Sequence, residues 1–133
     1  MTVKDPKGTA ARDPQLRLRI LFGPEAMMGP GKADLLEHIA ETGSIAAAGR
    51  AMGMSYKRAW QLVLGMNAIF AAPLVISSRG GAAGGGAVLT EDGKQVLQLY
   101  RALEARVAEA GAAELADLTA RLATASGDIP GGK

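Results

Sequence analysis

Three short helical stretches, then two β-runs joined by glycines, then one long amphipathic stretch predict a mainly α fold with a small β-hairpin wing. This is an α+β winged helix-turn-helix with a long C-terminal dimerisation helix. Three observations carry it. Turn signals at Gly43-Ser44 and around Gly53 separate the helical patterns, five glycines crowd residues 80–86, and no acidic residue occurs from Thr42 to Thr90. That acid-free stretch holds Arg50, Lys57, Arg58 and Arg79, whereas residues 91–125 set four bases against six acids. One-signed charge confined to one stretch suits a polyanion.

Each element follows from its residues. Residues 1–14 mix Lys, Asp, Pro and Gly and are expected to form a disordered tail. Residues 15–22 alternate apolar and basic side chains, the period of a half-buried strand, which Gly23-Pro24 ends. A first helix is expected over residues 32–42, with Leu35, Leu36 and Ile39 on one face and Asp34, Glu37 and Glu41 outside. Gly43 stops it, and Ser44 caps a short alanine-rich second helix that runs to Met52. Ser55 caps a third helix over residues 56–70. Its core face is Ala59, Leu62, Val63, Met66, Ile69 and Phe70, and Lys57, Gln61, Leu64 and Ala68 lie opposite.

After Pro73, residues 74–78 read as a strand, 80–86 as a flexible loop and 87–89 as the returning strand. Thr90 caps the last helix, which carries Val96, Leu97, Tyr100, Leu103, Val107 and Ala110 at three-to-four spacing. Gly111 weakens it before Leu115, Leu118 and Leu122 resume, and residues 126–133 read as a second disordered tail. The expected organisation is a tail over 1–14, the winged domain over 15–93, a helical dimerisation region over 94–125 and a tail over 126–133.

Composition narrows the function. With no cysteine and one histidine, His38, the chain offers no thiolate, no disulfide and no metal cage, so neither a metal site nor catalytic residues are expected. No apolar run approaches the roughly 18–20 residues of a membrane span, and the N-terminus lacks an apolar signal core. A cytoplasmic location and no membrane partner are expected. The glycine segment lacks the GxxxxGK[ST] spacing of a nucleotide loop, so it reads as a wing tip that brings Ser78, Arg79, Gly80 and Gly81 to a phosphate backbone.

A reading helix in a major groove needs bonding side chains in its first two turns and apolar ones behind. Tyr56, Lys57, Arg58, Trp60 and Gln61 meet that demand; the plainer alternative for the charged pair is ordinary solvated surface. Ser44, at a helix end, and Arg50 are candidates for phosphate contacts, beside a purely structural role for the serine. Trp60 either packs on a neighbour or presents its indole to DNA. The stripe that includes Val96, Tyr100, Leu103 and Val107 reads as a two-fold seam, with packing inside one chain as its alternative.

Residues 41–60, through Ser55-Tyr56-Lys57-Arg58-Ala59-Trp60, resemble the DNA-binding domain of the ModE family of molybdate-responsive transcriptional regulators. Met66-Asn67, the glycine wing and Leu89-Thr90-Glu91-Asp92-Gly93 share the resemblance, and the broader pattern is similar to LysR-type helix-turn-helix domains. It covers roughly residues 15–110. The resemblance implies a homodimer on an inverted-repeat operator, with contacts from Ser55, Tyr56, Lys57, Arg58, Trp60 and Gln61. In that family molybdate binds a separate C-terminal pair of small β-barrels, and nothing after residue 93 resembles them.

The expectation is therefore a non-enzymatic, dimeric regulator of double-stranded DNA, a repressor linked to molybdenum metabolism. No cofactor is expected in this chain, molybdate being the one candidate and lacking a recognisable binding domain. The rival readings are a winged-helix protein-interaction module and an oxyanion sensor with its site at the dimer junction.

Overall fold

The computed structural model describes residues 14–78 and 86–123. The expected tails over 1–14 and 126–133 lie outside these residues, apart from Pro14, as do Arg79, Gly80, Gly81 and the rest of the glycine loop up to residue 85. The element order is β1 (Ile20–Gly23), β2 (Ala26–Met28), α1 (Pro30–Thr42), α2 (Ile45–Ala51), α3 (Tyr56–Ile69), β3 (Val75–Ser78), β4 (Gly86–Leu89), α4 (Glu91–Ala110) and α5 (Ala112–Ala120). Among the described residues the strands form two antiparallel pairs, β1–β2 and β3–β4.

The chain divides into two compact units. One is Arg17–Glu104; the other comprises, among the described residues, 14–16 and 105–123.

In the first unit, Pro30 occupies the opening of α1, where its missing N–H and fixed φ suit the helix start. The helix therefore begins two residues before the expected Lys32. Gly43, at φ 73°, ends α1 and donates its N–H to the Ile39 carbonyl oxygen at 2.8 Å. Gly53, also at φ 73°, makes the turn between α2 and α3. L-residues with a Cβ visit that left-handed region at a cost, so glycine is the fitting choice at both turns. The Ser44 hydroxyl accepts the Ala47 N–H at 3.0 Å, and the Ser55 hydroxyl accepts the Arg58 N–H at 3.0 Å. Both expected caps form.

The core is built from α1, α2, α3 and the second hairpin: Leu35, Leu36, Ile39, Ala48, Val63 and Met66 are fully enclosed, with Leu74 beneath the start of β3. Of the expected α3 face, Ala59, Val63 and Met66 are buried and Leu62, Ile69 and Phe70 half-buried.

Polar side chains fasten the wing. The Asn67 carboxamide accepts from the Leu74 N–H at 2.8 Å and from the Val75 N–H at 3.2 Å, and donates to the Val75 carbonyl at 3.1 Å. Thr90 accepts the Gly93 N–H at 2.9 Å while its hydroxyl donates to the Pro73 carbonyl at 2.7 Å, so one side chain caps α4 and holds the entry to β3.

The expected strand over 15–22 is shortened and shifted. Pairing begins at Ile20, opposite Met28, and the partner strand β2 was not expected. The Leu18 carbonyl, instead of joining a ladder, accepts the Tyr100 hydroxyl at 2.6 Å. At three residues, β2 is too short to show a period in the sequence.

Arg101 joins α4 to α1 through Asp34 at 2.7 Å and Glu37 at 2.6 Å, and bonds Glu104 on its own helix at 3.0 Å. Burial pulls its proton affinity down, but the three carboxylate hydrogen bonds outweigh burial and raise it.

In the second unit, α4 ends at Ala110 and Gly111 precedes α5, whose Leu118 is exposed. The break falls where glycine was expected to weaken the helix. Arg121 pairs with Asp117 one turn earlier at 3.1 Å.

Candidate nucleic-acid interface

The amino end of α3 is an open helix surface that carries bonding side chains. Ser55, Tyr56, Lys57, Arg58, Trp60 and Gln61 are all exposed, and only Ala59 among residues 55–61 turns inward. The reason is local: the buried residues Ala59, Val63 and Met66 recur at four- and three-residue steps. The intervening positions must then face outward. Lys57, Arg58 and Gln61 have no side-chain hydrogen bond or ion pair among the described residues, so their donors are open to a ligand.

Tyr56 and Trp60, one helical turn apart, stack with ring centroids 6.5 Å apart and an interplanar angle of 21°. Tyr56 remains 55% exposed and Trp60 37%. The pair forms one wall of an open cleft of about 470 Å³, closed by Ser44 and Ala46 at the start of α2 and by Ser77 and Gly86 at the root of the wing. Trp60 stacks on Tyr56 of its own helix and leaves part of the indole exposed. Amphipathic rings of this kind suit contact with sugar and with a thymine methyl.

The structure brings some expected residues together and separates others. Ser44, Tyr56 and Trp60 share the cleft, and Ser78 pairs with Gly86 at its rim. Arg50, in the last turn of α2, is exposed and outside the residues that line it. Arg58 borders a different cleft, with Arg19 and Lys32. Ser77 and Gly86 were not singled out from the sequence, although Ser77 is exposed on β3. Lys32 was read only as a helix start. Burial, and after it the Arg58 charge, lowers its proton affinity.

The expected seam residues fall in three environments. Val96 is half-buried against the core, Leu103 is exposed, and Val107 lies in the second unit. Tyr100, expected at a seam, is 3% exposed and spends its hydroxyl on Leu18, so it belongs to the core of its own unit. The neighbouring Leu99, absent from the expected set, is 67% exposed.

No helix among the described residues is long and apolar enough to cross a membrane. Among the same residues no group of three or more acids, histidines or cysteines is placed to hold a metal ion.

Comparison with known proteins agrees with this geometry. Residues 32–94 match the family model of the bacterial regulatory helix-turn-helix protein, lysR family. The chain is 51% identical over 84 residues to the molybdenum-pterin-binding protein MopB of Rhodobacter capsulatus, covering 63% of this chain and 31% of that protein. It is 45% identical over 71 residues to the DNA-binding transcriptional dual regulator ModE of Escherichia coli (strain K12), covering 53% of this chain and 27% of the regulator. With the transcriptional regulator ModE of Haemophilus influenzae it shares 36% identity over 93 residues, 70% of this chain and 36% of that protein. The match thus spans roughly a third of the length of these curated relatives. The N-terminal part of this chain is thus similar to ModE and Mop proteins, and residues 32–94 within it to the lysR-family helix-turn-helix.

Proposed function

We propose that this chain is a sequence-specific DNA-binding transcriptional regulator, acting without enzymatic chemistry in the cytoplasm and linked to molybdenum metabolism. One observation carries the reading: the amino end of α3 presents Tyr56, Lys57, Arg58, Trp60 and Gln61 outward from a stretch that holds no carboxylate between Thr42 and Thr90. Lys57, Arg58 and Gln61 read base edges from within the major groove, with Ser55, Tyr56 and Trp60 beside them. Ser44, Arg50, Ser78 and the wing residues Arg79, Gly80 and Gly81 position the backbone, since phosphate contacts set register and base contacts set sequence. The link to molybdenum rests on what the ModE and Mop relatives are named for.

The regulator works as a homodimer on an inverted repeat. Support comes from the apolar face that Val96, Leu99 and Leu103 leave on α4 together with Phe22 on β1. Burying it against a second copy removes apolar surface from water and doubles the phosphate contacts. The sign of control assigned to this reading is repression, which requires only that the operator be occupied.

The test is selection of bound sequences from a random duplex pool, followed by binding isotherms for Lys57→Ala. The substitution is expected to cost about 1–3 kcal/mol and to relax preference at one operator position. Equal losses on the selected operator and on random DNA remove the base-reading role of Lys57. Absence of any enriched sequence removes the regulator reading and favours a protein-interaction module.

A further inference from the structure

A second cleft, of about 330 Å³, lies beside α3 in the same unit. Arg19, Lys32 and Arg58 border it, with Met27, Met54 and Leu62 as apolar walls. The three cations come from three separate places: the chain before β1, the first turn of α1 and the first turn of α3. No acidic residue lines the cleft, and none of the three pairs with a carboxylate among the described residues. We infer that this cleft holds a tetrahedral oxyanion.

Like charges gathered without a counter-ion repel, and the repulsion is visible at Lys32, whose proton affinity falls through burial and then through the Arg58 charge. An anion seated between them converts that repulsion into attraction, and Met27, Met54 and Leu62 give the cleft apolar walls beside the three cations. The Lys32 ammonium is oriented, donating to the Met27 carbonyl at 2.7 Å, and keeps two further protons to give. The Arg19 stem passes beside Gly29. Gly29 supplies no side-chain cap to α1, and Gly31 and Lys32, whose backbone N–H groups open that helix, line the same cleft.

Two sources supply this chemistry. A backbone phosphate of the duplex, on the flank of the groove entered by α3, is one; a free inorganic oxyanion is the other. The first rests on the DNA-binding reading above, and the second does not. Arg58 stands at the junction of base reading and this cleft, so either occupant fixes the orientation of α3's first turn.

The experiment uses the full chain with Lys32→Met, which keeps the stem, and Arg19→Gln, at an exposed position, with thermal melts to confirm folding. Calorimetry with inorganic phosphate, and separately molybdate, in chloride buffer of fixed ionic strength reads the free-anion source. Saturable one-to-one heat that weakens by about tenfold or more in either variant supports it, as expected when one charge-assisted hydrogen bond is lost. Salt titrations of binding to the selected duplex read the other source. A fall of about one in the slope of log affinity against log salt, with base preference unchanged, assigns the cleft to a DNA phosphate. Featureless phosphate and molybdate titrations, together with slopes in both variants equal to that of the unsubstituted chain, overturn the site. If that result comes with base preference intact, only the cleft assignment falls. If anions bind but no duplex is preferred, the regulator reading falls and the cleft stands.

Discussion

Arg58 and Arg101 are the same residue type in one compact unit, and they are put to opposite uses. Arg101, with its side chain 31% exposed, has three carboxylates within 3.0 Å and ties α4 to α1. Arg58 stands exposed on the first turn of α3 with no carboxylate partner among the described residues. The contrast extends to their surroundings. Around Arg101, Asn67 and Thr90, polar groups are satisfied within the chain, and no buried side-chain polar atom among the described residues lacks a partner. At the amino end of α3 the donors are left open. A satisfied polar network fixes geometry, and open donors on a rigid helix await a partner from outside. The framework region and the reading region are distinguished by hydrogen-bond bookkeeping more sharply than by composition.

The largest expected effect lies in the framework, at Gly93. A Cβ there would overlap the carbonyl oxygen of Leu74, a backbone atom that the Thr90 N–H already holds at 2.9 Å. Alanine is the better helix former by about 1 kcal/mol, so on propensity alone Gly93→Ala stabilises α4. The overlap wins, because β3 and α4 cannot part without breaking the Thr90 contacts. A net destabilisation of about 3 kcal/mol is expected, at the upper end for an overpacked site. Chemical denaturation measures it. An unchanged or raised midpoint would show that the β3–α4 joint is looser than the geometry requires.

Gln61→Ala probes the other side of the comparison. The side chain is exposed with no intramolecular hydrogen bond among the described residues, so its removal leaves the denaturation midpoint within about 0.5 kcal/mol of the parent. A loss of about 1–3 kcal/mol in operator binding, concentrated at one base pair, is expected from a broken base-edge contact. Should stability fall and binding stay level, α3's outer face would belong to the framework after all.

Much of this division was legible in the sequence, because it depends on short-range chemistry. The caps at Ser44, Ser55 and Thr90, the turns at Gly43 and Gly53 and the outward face of α3 all follow from residues within four positions of one another. What stayed hidden depends on contacts between distant residues. Tyr100 reads as seam material because aromatic side chains at helical spacing look alike whether a neighbour is in the same chain or another; only its bond to Leu18 places it in the core. Leu99, one residue earlier, takes the open position instead. Lys32 and Arg19 reach Arg58 only once β1, α1 and α3 are assembled, so no local spacing announces the cation cleft. The hairpin β1–β2 escapes for another reason: three residues of β2 are too few to display alternation.

Arg101 gives the smallest and most discriminating effect. Arg101→Met keeps the apolar stem and removes the guanidinium, which leaves Asp34, Glu37 and Glu104 facing one another without a cation. These carboxylates are a quarter to a half exposed, so water and salt screen most of their repulsion and a loss of about 1 kcal/mol is expected. The salt dependence carries the sign. In the parent, added salt weakens attraction within the cluster; in the variant it weakens repulsion, so the gap between the two midpoints narrows as ionic strength rises. Operator affinity stays unchanged, because the cluster joins α1 to α4 and supplies no atom to α3's outer face. A variant that holds its stability but loses DNA binding would mean that Arg101 and Arg58 serve one surface, and the distinction between the two arginines would dissolve.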